Sequence, residues 1–498
     1  MKFPRSSGIL LPMASLPSPY GIGDLGPNAC KFVDWLVKAK QSLWQVLPFS
    51  IADQAGCPYS SYSAFGGYPL LISPEKMLDD KLLEKEDLNN PNYLFGNHSV
   101  EYYRVEEFKF FIFRKAFERF QKKGLYKQEF AAFLEEEKNW LIDLSYFLTL
   151  TEQFGTRWVD WPEKLKLRDK LELAKFAKNN QDQISFHQFL QFIFFRQWND
   201  FKSYANKNGI KIIGDVPIFL SHHSMDIWKN PELFKLDEYG NPYVVTGAPP
   251  DEFSDWGQKW GNPNYNWWMM EQDGFSWWLK RMSYMFKEYD IVRLDHFRGF
   301  AATWEIQKEN PDARSGWWSW VPGHNIFHCF MEKFKDLPII VEDLGKITDD
   351  VVWLRERFGF PGMKILQFAF NKGPLSPNLP HNYPEHCVVY TGTHDNMTSK
   401  GWFKQLGDTL EKEFCVKYTG AWNHENVNWS LIATAVNSRA DIAIIPLQDV
   451  MGLGNEGRIN TPGTPEGNWT WRFRFEDLKD EDQNHLSELT WDSFRNRP

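Results

Sequence analysis

Three short apolar runs in this chain each break off in a carboxylate. Ile291-Val292-Arg293-Leu294 ends in Asp295, Pro338-Ile339-Ile340-Val341 ends in Glu342, and Cys387-Val388-Val389-Tyr390 leads through a short turn to His394-Asp395. Side chains alternate along a strand, so Arg293 and Asp295 share one face, a cation beside an acid where the strand opens into a loop. That pairing is expected to keep Asp295 ionised. Glu342 emerges from apolar surroundings, which favour the protonated acid. A carboxylate nucleophile, a carboxylic acid proton donor and a third acid for hydrogen bonding suit glycosidic bond chemistry by the retaining route. A metal-dependent barrel is the chemical alternative, and Arg293 counts against it because it would sit beside the cation.

Acids at strand ends need elements that gather those ends. Parallel barrels do this, with catalytic groups at the carboxyl ends of the strands. Strand-like runs lie near residues 9, 44, 212, 292, 340, 365, 389 and 444, which makes eight, and helical text separates most of them. The expected fold is therefore an α/β protein, a (β/α)8 TIM barrel with large inserted helical and loop subdomains between barrel strands. The barrel is assigned to 1–50 and 186–498, a mainly helical insertion to 51–185, and a loop-rich insertion to 218–274. Within the helical block, Val105, Phe108, Ile112 and Ala116 recur at spacings of three and four, as on one helix face. The Trp-rich stretch 304–322 reads as another loop, and Thr348 as a cap for a helix that runs to Arg357.

Composition narrows the function classes. A chain of 498 residues exceeds what one core usually supports, which agrees with insertions. The net charge of −9 argues against nucleic acid as a partner, since phosphate binding needs a basic face. No apolar run is long enough to span a membrane. Five scattered cysteines without a Cys-x-x-Cys pair point to free thiols in a reducing, cytoplasmic setting. The count of 24 Trp is high, and the clustered ones in polar company (Trp256, Trp260, Trp317, Trp318, Trp320, Trp469, Trp471) are candidates for contact with the C–H faces of sugars.

Two apparent motifs are set aside. Gly21-Ile22-Gly23-Asp24-Leu25-Gly26 has the spacing of a dinucleotide loop, but Asp24 would repel a pyrophosphate, and Pro27 suits a helix start. His222 and His223 could ligate a metal, but on an extended segment adjacent side chains point apart, so a loop role is preferred.

At the level of motifs the sequence resembles the 4-α-glucanotransferases, or amylomaltases, of the α-amylase clan. The resemblance runs through Tyr20-Gly21-Ile22-Gly23-Asp24-Leu25, Cys57-Pro58-Tyr59, Gly214-Asp215-Val216-Pro217, the loop from Pro249-Pro250-Asp251 to Asn262-Pro263, and Arg293-Leu294-Asp295-His296-Phe297-Arg298-Gly299. It continues in Glu342-Asp343-Leu344-Gly345, Thr391-Gly392-Thr393-His394-Asp395-Asn396 and the segment from Asn460 to Trp469. It implies Asp295 as nucleophile, Glu342 as acid/base and Asp395 as transition-state stabiliser. It also implies substrate binding by Arg293, His296, His394, Tyr59, Asp251, Trp260, Asp215 and Asn460, with loop 452–463 lying over the glucan. The implied substrates are α-1,4-glucans and maltooligosaccharides with glucose as acceptor, and no metal or organic cofactor is implied. Met397 departs from the polar or acidic residue expected after His-Asp-Asn. An α-glucan hydrolase would use the same three acids, and a non-catalytic glucan-binding protein should have lost one of them.

Overall fold

The computed structural model describes residues 2–53, 55–250, 254–421 and 423–495. Eight parallel strands form its centre: β1 (Ser6–Leu10), β2 (Leu43–Gln45), β3 (Lys211–Val216), β4 (Ile291–Leu294), β5 (Ile339–Val341), β6 (Gly362–Ile365), β7 (Cys387–Tyr390) and β8 (Ile442–Pro446). They pair in the order β6-β7-β8-β1-β2-β3-β4-β5. The Val341 N–H donates to the Pro361 carbonyl at 3.1 Å, which joins β5 to β6 and closes the ring. The strands are those expected from the apolar runs, and the fold is a (β/α)8 barrel. Gly214 shows how tight the wall is, because a Cβ there would lie 2.2 Å from the Tyr289 ring.

The helices follow from their apolar spacing. Pro27–Lys38 has Pro at its first position, Lys38 in its last turn, and buries Ala29, Phe32, Val33 and Leu36. Between β2 and β3 the chain is mostly helical. Tyr102–Lys123 buries Val105, Phe108, Ile112 and Ala116 on one face and stops at Gly124, whose φ of 62° serves as a left-handed C-cap. Gln181–Lys207 packs against it and against Lys138–Phe154, then leads back into β3.

Stretches expected to be loops instead form a second sheet. Val244–Ala248, Gln258–Pro263, Ala302–Gln307 and Gly316–Trp320 make four antiparallel strands, with a small core of Val245, Ile306 and Ala313 against Trp304. Half of this sheet lies before β4 and half after it. The pairing that joins its two hairpins is remote in sequence, and Gly- and Asn-rich text hides the alternation that would have marked strands. The helix Asp349–Arg357 does begin after Thr348, but the Thr348 hydroxyl makes no cap. It accepts from Arg298 and donates to Asp350. The His222 and His223 rings do not point apart. The segment bends, and their centroids are 4.8 Å apart, while His222 Nε2 bonds the Gly240 carbonyl at 2.8 Å.

Asp24 has a structural task. Its carboxylate accepts the Gly26 N–H at 3.0 Å and lies 3.7 Å from the ammonium of Lys109, which reaches in from the inserted helix and also donates to the carbonyls of Leu70 and Ile72. The pair is buried, and burial pushes the Lys109 ammonium down to about 8 despite Asp24. A lysine whose pKa falls on folding costs stability below that value, and the cost fades as pH rises through it. Asp24→Asn removes the counter-charge and is expected to cost about 3 kcal/mol near pH 6. The cost should shrink near pH 9, where Lys109 is neutral, and urea unfolding at the two pH values measures the difference.

Candidate active site

The barrel register builds the charge cluster. Asp215 on β3 pairs with Arg293 on β4. Both side chains point inward, and Arg293 Nη1 donates to Asp215 Oδ2 at 2.6 Å and to Asp295 Oδ1 at 3.0 Å. Burial opposes the Arg293 charge, but Asp215 and Asp295 outweigh it, and its pKa goes up. The Asp295 N–H bonds the Val216 carbonyl at 3.0 Å, so the strand ladder holds the backbone of Asp295.

Glu342 arrives on the neighbouring strand. Leu294 is registered with Val341, so Asp295 and Glu342 form the next pair. Glu342 donates its N–H to Leu294 O at 3.0 Å, and its carbonyl accepts from Phe297 at 2.9 Å. Between these bonds His296 adopts a left-handed φ of 48°, which a residue with a Cβ takes only against strain. The turn aims the His296 N–H at Glu342 Oε2, 2.6 Å away.

The expectation that Arg293 keeps Asp295 fully ionised needs correction. Burial is the larger effect and raises the Asp295 carboxyl, with Asp215 and Asp395 adding to the rise against the pull of Arg293. Glu342 is raised as well, first by burial and then by the Asp295 charge. Asp295 has the direct ion pair and keeps 25% of its side-chain surface open, so it is the member that ionises first. Glu342 holds the proton.

A second group faces the first. The Tyr59 hydroxyl donates to Asp215 Oδ2 at 2.7 Å, so the 2.9 Å contact with His394 Nε2 puts the proton on that nitrogen. His394 Nε2 also lies 3.3 Å from Asp395 Oδ2. Burial lowers the His394 pKa, which leaves the ring neutral. The Nε2–H of His394 is thus shared between the Tyr59 oxygen and Asp395. Asp395 Oδ1 accepts from Asn460 Nδ2 at 2.6 Å. Trp260 meets the His296 ring edge-on at 4.8 Å, and burial lowers His296 to about 4.

Of the residues singled out in the sequence, Arg293, Asp295, His296, Glu342, Asp215, Tyr59, His394, Asp395, Asn460 and Trp260 are thus linked through direct contacts or the β4–β5 pairing. Asp251 lies outside the described residues. Trp469 joins them through its ring, 5.7 Å from Tyr59 and 6.0 Å from His394. Trp471 does not, because it is buried in the core. Two supporting residues went unread. Arg458 donates to the Asp395 carbonyl at 2.9 Å, and Asp449 accepts from Thr391, Ser399 Oγ and the Ser399 N–H at 2.6–2.7 Å, tying both ends of the turn that carries Asp395. Arg458 could have been suspected from its place beside Asn460. Asp449 carried no signal, since it follows β8 within apolar helix text. Among the described residues there is no group of three or more His, Cys, Asp or Glu placed to hold a metal ion, and no helix long and apolar enough to cross a membrane.

Fold and site define a (β/α)8-barrel enzyme with its acids at the carboxyl ends of the strands. A family model described as 4-alpha-glucanotransferase matches residues 11–478. The 4-alpha-glucanotransferase of Clostridium butyricum is 42% identical over 480 residues, 96% of this chain and 98% of its own. A chloroplastic/amyloplastic one of Solanum tuberosum is 44% identical over 477 residues, 94% and 82% of the two chains. The amylomaltase of Streptococcus agalactiae in complex with acarbose superposes with a TM-score of 0.96 at 37% identity, covering 99% of both chains. The chain belongs to the 4-α-glucanotransferase family, whose reaction is transglycosylation of α-1,4-glucans.

The raised Glu342 carboxyl has a thermodynamic consequence. An acid whose pKa rises on folding costs stability as pH climbs from the ordinary glutamate value of about 4.3 to the folded value. Glu342→Gln keeps an acceptor for the His296 N–H and removes the titration. The variant is expected to match the wild type near pH 4.5 and to exceed it by on the order of 1–2 kcal/mol near pH 9. Denaturation at the two pH values checks this.

Proposed function

We propose that Asp295 is the nucleophile, Glu342 the acid/base and Asp395 the stabiliser of a retaining glucan transfer, with glucose or a maltooligosaccharide as acceptor. One observation carries this reading. Asp295 and Glu342 follow a registered pair on adjacent parallel strands, so their backbones lie about 4.8 Å apart. That suits the short carboxyl separation of the retaining route, about 5–5.5 Å, rather than the wider gap that admits a water.

The chemistry follows from the contacts. Glu342 gives its proton to the glycosidic oxygen as the bond to the anomeric carbon breaks, and the Asp295 oxygen forms a bond to that carbon. Glu342, now a carboxylate, takes the proton of the acceptor 4-hydroxyl, whose oxygen displaces Asp295. The anion left on Glu342 after the first step lies beside the His296 N–H, which offsets part of its cost. Asp215, Tyr59 and Arg293 hold the nucleophile from below, and Asn460 and His394 hold Asp395. Trp260 and Trp469 present ring surface to the sugars. Asp251 belongs to the same proposal on family resemblance alone. The five unpaired cysteines support a cytoplasmic setting.

Asp295→Asn is expected to lower turnover by at least about 10⁴-fold while the chain still folds, since an amide cannot attack and Asp215 still pairs the Arg293 charge. Incubation with maltotriose should yield glucose and a ladder of longer chains at constant reducing ends. A steady rise in reducing ends without a ladder would identify a hydrolase and refute the transfer reading.

A further inference from the structure

The helix Tyr102–Lys123 supplies no group to the charge cluster, yet its first residue reaches two loops of the site. The Tyr102 hydroxyl donates to the Trp469 carbonyl at 2.8 Å. Burial pushes the phenol up, so this group stays a donor near neutral pH. The Tyr102 ring also closes on Gly56, where a Cβ would lie 2.3 Å from its Cε2 and Cζ. Gly56 has a left-handed φ of 74° and precedes Tyr59 by three residues. One side chain thus touches both the loop that carries Tyr59 and the loop that carries Trp469.

Trp469 needs to be held. Its φ of 63° is a left-handed backbone, which a residue with a Cβ takes only against strain. Its N–H donates to the Ile459 carbonyl at 2.7 Å. Beyond it, the Val100 N–H donates to the Thr470 carbonyl at 2.8 Å and the Arg472 N–H to the His98 carbonyl at 3.0 Å, a short antiparallel pairing of 98–100 with 470–472. Arg472 is buried, and its guanidinium donates to the carbonyls of Gly96 at 3.0 Å and Ser18 at 2.7 Å. These bonds anchor the chain on either side, and the Tyr102 hydroxyl fixes the Trp469 carbonyl itself. The resulting conformation sets the indole 5.7 Å from the Tyr59 ring and 6.0 Å from that of His394.

We propose that Tyr102 is a positioning residue for glucan transfer, which holds Trp469 and Tyr59 in one fixed relation as a wall that receives the sugar. This role rests on the reading of Trp469 as a sugar contact. Tyr102 itself meets no reacting atom. It acts through the Trp469 carbonyl on one side and the Gly56 backbone on the other. A wall whose rings are already ordered loses less entropy when the sugar binds. Without the hydroxyl the Trp469 carbonyl loses its donor, and the strained backbone is free to relax and carry the indole away from Tyr59.

Tyr102→Phe tests it, because the variant removes the hydroxyl and keeps the ring on Gly56, so the chain is expected to fold. With maltotriose, well below the unfolding temperature, kcat/KM is expected to fall about five-fold, carried by KM with kcat little changed. Trp469→Ala removes the ring that is held and is expected to lose more. In that background Tyr102→Phe should change kcat/KM by less than about 1.5-fold, because a contact that acts through a missing ring has nothing left to act on. Equal fold losses in the two backgrounds overturn the proposal, and so do wild-type kinetics for Tyr102→Phe. A loss confined to kcat, in step with a smaller folded fraction, would make the role of Tyr102 structural and overturn it as well. Additive losses leave the sugar site as read, whereas wild-type kinetics for Trp469→Ala would refute that reading and this proposal with it.

Discussion

A single buried guanidinium organises the catalytic end of this barrel. Arg293 lies between Asp215 and Asp295, and no water-exposed position could give its charge the same hold on both. Breaking such a pair leaves a buried charge uncompensated, which costs far more than the pair contributes when intact. The cluster therefore constrains everything that touches it. Tyr59 is oriented through Asp215, His394 through Tyr59, and Asp395 through His394, so one cation sets the geometry of groups supplied by three strand ends and one loop.

The same burial that makes the cluster rigid separates the roles of its acids. Two carboxyl groups on adjacent strands cannot both ionise cheaply in a low-dielectric site. Arg293 settles which one carries the charge, and the His296 N–H stands ready for the other. That N–H points inward only because His296 holds a left-handed backbone. Local strain thus serves a hydrogen bond to a group whose charge changes during the proposed reaction.

The insertions place the remaining wall of the site. The loop after β2 brings Tyr59, the segment after β8 brings Asn460 and Trp469, and the second sheet brings Trp260. These pieces come from chain segments hundreds of residues apart, and they meet because the barrel closes β1 against β8. Asp24 and Lys109 tie the helical insertion to a barrel loop, so that it has a defined place beside the site.

How much of this was legible before folding depends on how local each signal is. The eight strands were readable because buried parallel strands are short continuous apolar runs, and the acids stood out because charge ending such a run is conspicuous. Arg293 beside Asp295 followed from alternation along one strand. Motif resemblance added the site residues carried on loops. The second sheet was not legible, since its two hairpins, one on each side of β4 in the chain, join to each other in text without alternation. Nor were the support given by Arg458 and Asp449, the neighbouring rings of His222 and His223, or the raised pKa of Asp295. Each depends on what lies nearby in space and on how far water is excluded. By itself, then, the sequence determined the barrel strands and the identity of the acids, because backbone periodicity and residue type are properties of the chain. That burial raises both carboxyl groups, and what holds each one in place, was decided only by the tertiary structure, because burial and cross-strand distance exist only once the ring of strands has closed.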